Sequence, residues 1–485
     1  MSVSRRGYCA LTLAAAALVA AGCGGAERAA PKPPSFRHFH SRPDLRPPVV
    51  SVRTRARGTA SGFVCFAPKR KVAQQGPLIV DNDGRVVWFH PTGKKGATDF
   101  RVQRYRGQPV LTWWQGSSHI GLGFGTYVIM DSSYRQIVEL RAGHGYMGDE
   151  HEFLITPAGT ALIPIYHRVR HDLRPVGGPK HGRVWDSIVQ ELNIATGRVL
   201  FEWHSVGHIP VTESFAKLHA KRPSAPPGFD YFHINSIDVD TDGNLLVSAR
   251  NTQAVYKVSR HDGRVLWRLG GKRSDFRMGP GTHFAWQHDV RRQPDGTITL
   301  YDNGAAPKLE DHSRALVLRV DEQAKTARLV REYAHPAHLL STSQGDAQLL
   351  PDGHLFVGWG SEPYFTEFSG DGKVLFDARF PEGADSYRAY RCEWSGRPAT
   401  RPSVTATAHD GEVTVYVSWN GATEVAKWLV LAGRDARHLH AVATVAKDGF
   451  ETRISVRTKA RRVAVRALDS SGEVIRTSRA VLVRR

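Results

Sequence analysis

No stretch beyond the first two dozen residues holds the roughly 18 consecutive apolar side chains of a transmembrane helix, so no helical membrane span is expected there. A glycine-rich phosphate loop is also missing. Gly121-Leu122-Gly123-Phe124-Gly125 lacks the G-x-G-x-x-G spacing and reads as a turn, and Thr92-Gly93-Lys94-Lys95 is no phosphate cradle, so no nucleotide site is expected. Acidic residues are few, 46 against 66 Lys and Arg, for a formal net charge of +20. The excess is dispersed in short runs such as Lys69-Arg70-Lys71, with no aromatic-interleaved basic helix and no reader module. No nucleic-acid partner is therefore expected; solubility or attraction to an anionic envelope surface accounts for the charge.

Cysteine is the scarcest useful residue, with four in 485. Arg5 and Arg6, the apolar run Ala10 to Ala21 and the small residues Ala20-Ala21-Gly22 before Cys23 form a lipoprotein-type signal peptide over residues 1–23. Cys9 leaves with that signal and Cys23 becomes the lipidated first residue. The expected location is the outer face of the cell membrane, held by a lipid anchor, with plain secretion as the alternative. Cys65 and Cys392 then remain outside the cytoplasm, one on each side of the repeat region described next. A disulfide between them is expected, the alternative being two unpaired buried thiols.

With 41% hydrophobic and 9% aromatic residues the chain is neither disordered nor fibrous. Residues 24–59, which include P-K-P-P and R-P-D-L-R-P-P, read as a Pro-rich tether. From residue 60 to 395 two repeats run together. In the first, a polar residue opens a strand that a P-x-G or D-G turn reverses about eight residues later. It begins at His151 (H-E-F-L-I), His233 (H-I-N-S-I), His288 (H-D-V-R-R) and Gly345 (G-D-A-Q-L). In the second, a polar turn precedes an alternating apolar strand, at 81, 131, 195, 261, 321 and 370. Six such turns, about 50 to 66 residues apart, predict an all-β fold of six four-stranded blades closed into a propeller. Insertions at 168–184 and at 208–229, the latter partly helical, are expected to cover one mouth of its channel. Residues 403–485 hold about seven short alternating strands around Trp419 and predict a small immunoglobulin/fibronectin-like β-sandwich, assigned a spacing or packing role.

Equivalent positions of successive blades face one channel, so His151, His233 and His288 are expected to converge. Arg250 ends the hairpin that His233 opens. A neutral imidazole is a nucleophile or base at neutral pH, and a guanidinium suits the oxygens of a transferred sulfuryl or phosphoryl group. Together they favour group transfer to and from histidine. Asn303 is placed at the channel wall beside His288, although N-G there is also a turn. Gln344, Asp346, Trp359 and Glu367 are expected to line an acceptor pocket, and Trp113 and Trp114 to be sheet core or an aryl platform.

Over residues 60–395 the chain resembles the PAPS-independent bacterial arylsulfate sulfotransferases, six-bladed propellers, through W-Q-H-D at 286–289, H-I-N-S at 233–236, S-A-R-N at 248–251 and E-H-E-F at 150–153. The resemblance implies transfer of a sulfuryl group from an aryl sulfate donor to a phenolic acceptor through a sulfohistidine. His288 matches the nucleophile, while His233, Asn235, Arg250 and His151 match the groups that hold the sulfuryl oxygens. It implies no cofactor and no metal. A shorter chain and an unrelated C-terminal sandwich place it in a divergent branch. Two other readings use the same residues: a metal-dependent propeller hydrolase with a three-histidine site, and a non-catalytic envelope binding protein.

Overall fold

The computed structural model describes residues 35–218 and 228–485. The signal peptide and Cys23, the first part of the expected tether and part of the 208–229 insertion lie outside the described residues. Ser35–Arg485 forms one compact unit. Its regular structure is β throughout apart from 3-10 turns at Arg174–Val176 and Val211–Glu213, so the helical element expected near 208–229 reduces to one short turn among the described residues. No helix among them is long and apolar enough to cross a membrane.

Five consecutive four-strand meanders follow one another. They are Gly96–Tyr105 with Gln108–His119, Leu122–Met130 and Gln136–Leu140; Leu154–Ile155 with Thr160–His171, Gly182–Asn193 and Val199–His204; and Ile234–Val239 with Leu245–Ala249, Ala254–Val258 and Val265–Gly270. The next two are His288–Arg292 with Thr297–Asp302, Arg314–Asp321 and Thr326–Ala334, then Asp346–Leu349 with Leu355–Gly358, Tyr364–Phe368 and Val374–Arg379. A further sheet is assembled from both ends of this region: Ala389–Cys392 pairs antiparallel with Phe63–Phe66, which continues into Leu78–Val80 and Val86–Phe89. The Cys65–Cys392 disulfide joins these two strands across 327 residues of sequence. A late strand thus completes an early sheet, and the covalent bond holds that closure.

Alternation along the strands buries both faces of each sheet against its neighbours. Leu162 and Trp203 pack with Val247 and Tyr256; Val255 and Leu269 with Val290 and Leu316; Tyr301 with Val357 and Trp359. Phe356 and Phe365 pack with Val64 and Phe66; Ile79 with Leu111 and Val128; Tyr127 and Ile129 with Ile163 and Ile188. The succession of cores therefore returns to the sheet it started from, which leaves few exposed sheet edges to guard.

The six repeated turns separate the third and fourth strands of these sheets. At Asp81–Arg85 and Asp131–Arg135 the aspartate backbone pairs with the arginine across the turn, and the Asp carboxylate accepts N–H groups within it. Trp113 and Trp114 are fully buried, which makes them core rather than platform. The expected tether needs correcting from residue 35 onward. Leu45 and Val50 are buried in the core formed by the sheets on either side, and Ser51–Thr54 adds a strand to Val374–Arg379. Phe39 and Leu45 supply apolar anchors that the proline-rich composition obscured.

Residues 403–482 form two sheets, Ser403–His409 with Glu412–Ser418 and Glu451–Arg457, and Lys427–Gly433 with Leu439–Ala446, Arg462–Leu468, Val474–Thr477 and Val481–Leu482. They share one core that includes Val415, Ile454, Trp419, Trp428 and Val465.

Candidate functional site

Three sheets have a first strand that begins at or just after a histidine: Leu154–Ile155 after His151, Ile234–Val239 after His233, and His288–Arg292 at His288 itself. His151 and His233 meet edge to face with centroids 4.8 Å apart. Tyr387 bridges the cluster, its ring 5.4 Å from His151 and 6.3 Å from His288. The Arg250 guanidinium lies over the Trp286 ring at 5.0 Å, and the Trp286 carbonyl touches His288 Nδ1 at 3.0 Å. All three histidines are nearly enclosed, with 4, 7 and 1% of their surface exposed for His151, His233 and His288. Tyr166 packs against His151 and His233 at 6.0 and 5.6 Å, and with Leu122, Phe124 and Trp185 forms an apolar wall beside them.

Each imidazole is held through Nδ1. Asp149 Oδ1 accepts from His151 Nδ1 at 2.5 Å, and Asp230 Oδ2 accepts from His233 Nδ1 at 2.6 Å. Behind His288 the acceptor is neutral: Asn303 Oδ1 at 2.6 Å, with the Asn303 amide oriented by donation to the Ser341 and Gln344 carbonyls. Nδ1 of His288 therefore carries the proton and Nε2 the lone pair, which receives only the Gln344 N–H at 3.2 Å. Burial, then the charge of Arg250, pushes His288 well below the usual histidine range, so its lone pair persists into acid. Burial, then His233, pushes His151 down to about 3.

Local backbone geometry aims these groups. His233 and Gln344 adopt left-handed φ values of 63° and 67° just ahead of their strands. Bulges between Thr98 and Arg101 and between His288 and Arg291 put Asp99 and Asp289 at φ near 50° (52° and 51°) and turn their carboxylates inward. One step along from the histidines, those acids and Glu152 enclose Arg388, at 2.8 Å from Asp99, 3.3 Å from Glu152 and 3.4 Å from Asp289. Arg101 and Arg291 complete the layer, Arg291 reaching Glu152 at 2.6 Å and Asp289 at 2.7 Å. Burial, then Asp289, raises Asp346 well above the carboxylate range, and Asp99, Glu152 and Asp289 are the acids that pair with the three guanidiniums.

His151, His233, His288 and Arg250 are thus brought together. Asn235 lies between His233 and His288, but its amide donates to the Gln287 carbonyl at 2.5 Å and its Oδ1 has no partner among the described residues. Asn303 supports His288 instead of facing a ligand. Trp359 and Glu367 do not join the cluster: the Trp359 indole donates to Thr366 inside a sheet core, and Glu367 pairs with Arg391 at 2.5 Å. Trp359 follows the second strand of its sheet and Glu367 lies in the third, a difference that the strand pattern alone did not weigh. Asp149, Asp230, Tyr387 and the Arg388 layer were missed. Their sequence signal was an acid two or three residues ahead of a histidine, and Y-R at the place in the repeat that H-E and H-D occupy.

Among the described residues, the side chains close enough together to share one ion are Asp352, His354 and Glu367, away from the histidine cluster. The three histidines and Arg250 instead present nitrogen groups suited to an oxyanion.

Residues 101–381, more than half of the chain, match the family model described as Arylsulfotransferase (ASST). The chain belongs to the arylsulfotransferase family. The matched span contains His151, His233, Arg250 and His288 and ends before the two C-terminal sheets. No curated protein matches the sequence. Among solved structures, a protein of unknown function from Bacteroides caccae is similar at 13% identity and a TM-score of 0.40, over 68% of this chain and 98% of that one. An inactive variant of virginiamycin B lyase from Staphylococcus aureus, with quinupristin, is similar at 9% identity and a TM-score of 0.34, over 77% of this chain and 97% of that one. At these scores neither likeness informs the function of this member of the family.

Proposed function

We propose that this protein moves a sulfuryl group from an aryl sulfate ester to an acceptor phenol through a sulfohistidine at His288. The observation that carries the reading is His288 itself, buried, fixed through Nδ1 and presenting Nε2 among two further imidazoles and a guanidinium. Nε2 attacks sulfur, the S–O bond to the aryl ring breaks, and the second phenol reverses the step. Arg250 holds the sulfuryl oxygens with His233 beside it, and the wall of Tyr166, Phe124 and Trp185 receives the ring.

The scaffold in this proposal is a six-bladed β-propeller over residues 60–395 followed by an immunoglobulin/fibronectin-like sandwich over 403–485. The disulfide fits an extracytoplasmic location. Lipidation of Cys23 belongs to the same proposal and is tested by metabolic labelling with a fatty-acid probe, which Cys23→Ala should abolish.

The catalytic test is turnover of 4-nitrophenyl sulfate with a phenolic acceptor. His288→Asn should lose at least about 1,000-fold, the scale on which removing a nucleophile acts, while its thermal unfolding still reports a folded protein. Full turnover in that variant removes His288 from the nucleophile role.

A further inference from the structure

The three histidines differ in what stands behind them. His288 leans on an amide oxygen and a backbone carbonyl, which fix its tautomer without stabilising a second proton. His151 leans on a carboxylate, Asp149, that is fully buried and accepts the Gly123 N–H at 2.6 Å and the His151 N–H at 3.0 Å as well. No cation reaches Asp149 within ion-pair distance among the described residues, since Lys69 sits over Glu150 and Asp385 at 3.9 Å. Asp230 behind His233 is different: it is partly exposed, and Arg250 faces its charge. Only the Asp149–His151 pair is both buried and without a neutralising guanidinium, an arrangement in which one extra proton shared by the pair is the natural counter-charge.

Resting on the sulfuryl-transfer reading, we infer that Asp149 is a positioning residue that makes His151 the proton donor to the leaving phenolate and the proton acceptor from the incoming phenol. Asp149 holds His151 Nδ1, so Nε2, with no partner among the described residues, is the atom left to exchange a proton with substrate. In the first half-reaction His288 Nε2 bonds to sulfur, the S–O(aryl) electron pair passes to the aryl oxygen, and that oxygen takes the Nε2 proton of His151. Asp149 is left as a carboxylate accepting from Nδ1. In the second half the acceptor phenol gives its proton to His151 Nε2, its oxygen bonds to sulfur, and the N–S pair returns to His288. Protons and charge balance over the cycle with no further reactant.

The titration of the pair agrees with this use. Burial raises Asp149 to about 7, while burial, then His233, lowers His151 to about 3, so the pair binds its shared proton near neutrality. The groups that face it are His233, Glu150, Asp230 and Lys69, with the hydroxyls of Tyr127, Tyr166 and Tyr387, and His288 across the cluster.

The test compares two esters in the full-length protein. Phenyl sulfate releases a strongly basic phenolate that needs protonation, near the tyrosine value of about 10; 4-nitrophenyl sulfate releases a far weaker base. In single-turnover phenol release without acceptor, where the half-reaction common to both esters does not contribute, Asp149→Asn and His151→Gln should each slow release from phenyl sulfate by about 100-fold or more and from 4-nitrophenyl sulfate by less than about tenfold. Equal losses on both esters in folded variants would overturn the inference, because a purely structural role cannot sense the leaving group. Should neither variant fold, the wild type decides. Its phenyl sulfate rate should fall relative to its 4-nitrophenyl sulfate rate as pH rises above about 7, and a ratio constant with pH contradicts the assignment. His288→Asn, by contrast, should lose both esters together. A wild type that forms no sulfuryl adduct with either ester refutes the sulfuryl-transfer reading, and this inference with it.

Discussion

Arg388→Met is the substitution that most severely tests how the centre of the fold is held. The Arg388 side chain is completely buried and faces Asp99, Glu152 and Asp289, with further donation to the Asn235 carbonyl at 2.9 Å. Methionine fills much of the volume but leaves three carboxylates with two guanidiniums, Arg101 and Arg291. Removing one partner from a buried ion cluster costs about 3–5 kcal/mol, or roughly two to nearly four orders of magnitude in the folded-to-unfolded ratio. The assay is chemical denaturation at pH 7, with Arg397→Met as the control, because its pair with Glu424 is at the surface. The pH dependence has a defined sign. Glu152 and Asp289 are both held below the usual carboxylate range, burial opposing and Arg291 then Arg388 overcoming it. Their contribution is present above the unfolded values, about 4.3 for Glu152 and about 3.9 for Asp289, and is lost as pH falls. Wild type and variant should therefore converge as pH drops below about 4.5. A deficit under about 1 kcal/mol at pH 7, or one that does not shrink in acid, refutes the argument.

Four further outcomes are expected. Replacing both Cys65 and Cys392 by Ala should cost roughly 2–4 kcal/mol, and wild type under reductant should unfold at the temperature of that variant; unchanged melting would show that the bond does not secure the closing sheet. Asn303→Ala removes the side-chain acceptor behind His288 and should lower turnover about tenfold or more with little change in substrate KM, whereas wild-type kinetics would leave the Trp286 carbonyl as sufficient support. Trp359→Phe should cost about 1 kcal/mol for the lost bond to Thr366 while turnover stays within about twofold, and a selective loss of acceptor use would restore Trp359 to the site. Because His288 stays neutral in the fold, the unfolded chain takes up a proton below about 6.5 that the native state refuses. His288→Asn should therefore lose less stability than wild type between pH 7 and pH 5, as read by thermal unfolding.

The turns at 81, 195, 261 and 370 were readable because a D-G or T-G pair between alternating strands has one local solution. Those at 131 and 321 hold no such pair, with Tyr134 and Lys325 at positive φ instead, and were readable from their place in the repeat; all six fell between the third and fourth strands of a sheet. The inner hairpins were readable in four cases. The other two were hidden, Thr98-Asp99 because its following turn is Arg106-Gly107 with no P-x-G, and Tyr387-Arg388 because its partner strand, Phe63–Phe66, lies at the opposite end of the chain. His151, His233, His288 and Arg250 could be placed together since a repeat carries equivalent positions to equivalent points. Trp359 and Glu367 could not be ranked by the same reasoning, as distance from the histidine cluster depends on which strand of the sheet a residue occupies. The Arg388 layer depended on bulges at Asp99 and Asp289, local departures from strand register that no composition rule marks.

The central claim is that His288 accepts the sulfuryl group, and intact-mass analysis with peptide mapping after exposure to 4-nitrophenyl sulfate without acceptor tests it most directly. The account predicts one SO3 adduct on the peptide containing His288, discharged by added phenol and missing from His288→Asn. Turnover with no such adduct, or an adduct on a residue outside the histidine cluster, would contradict it.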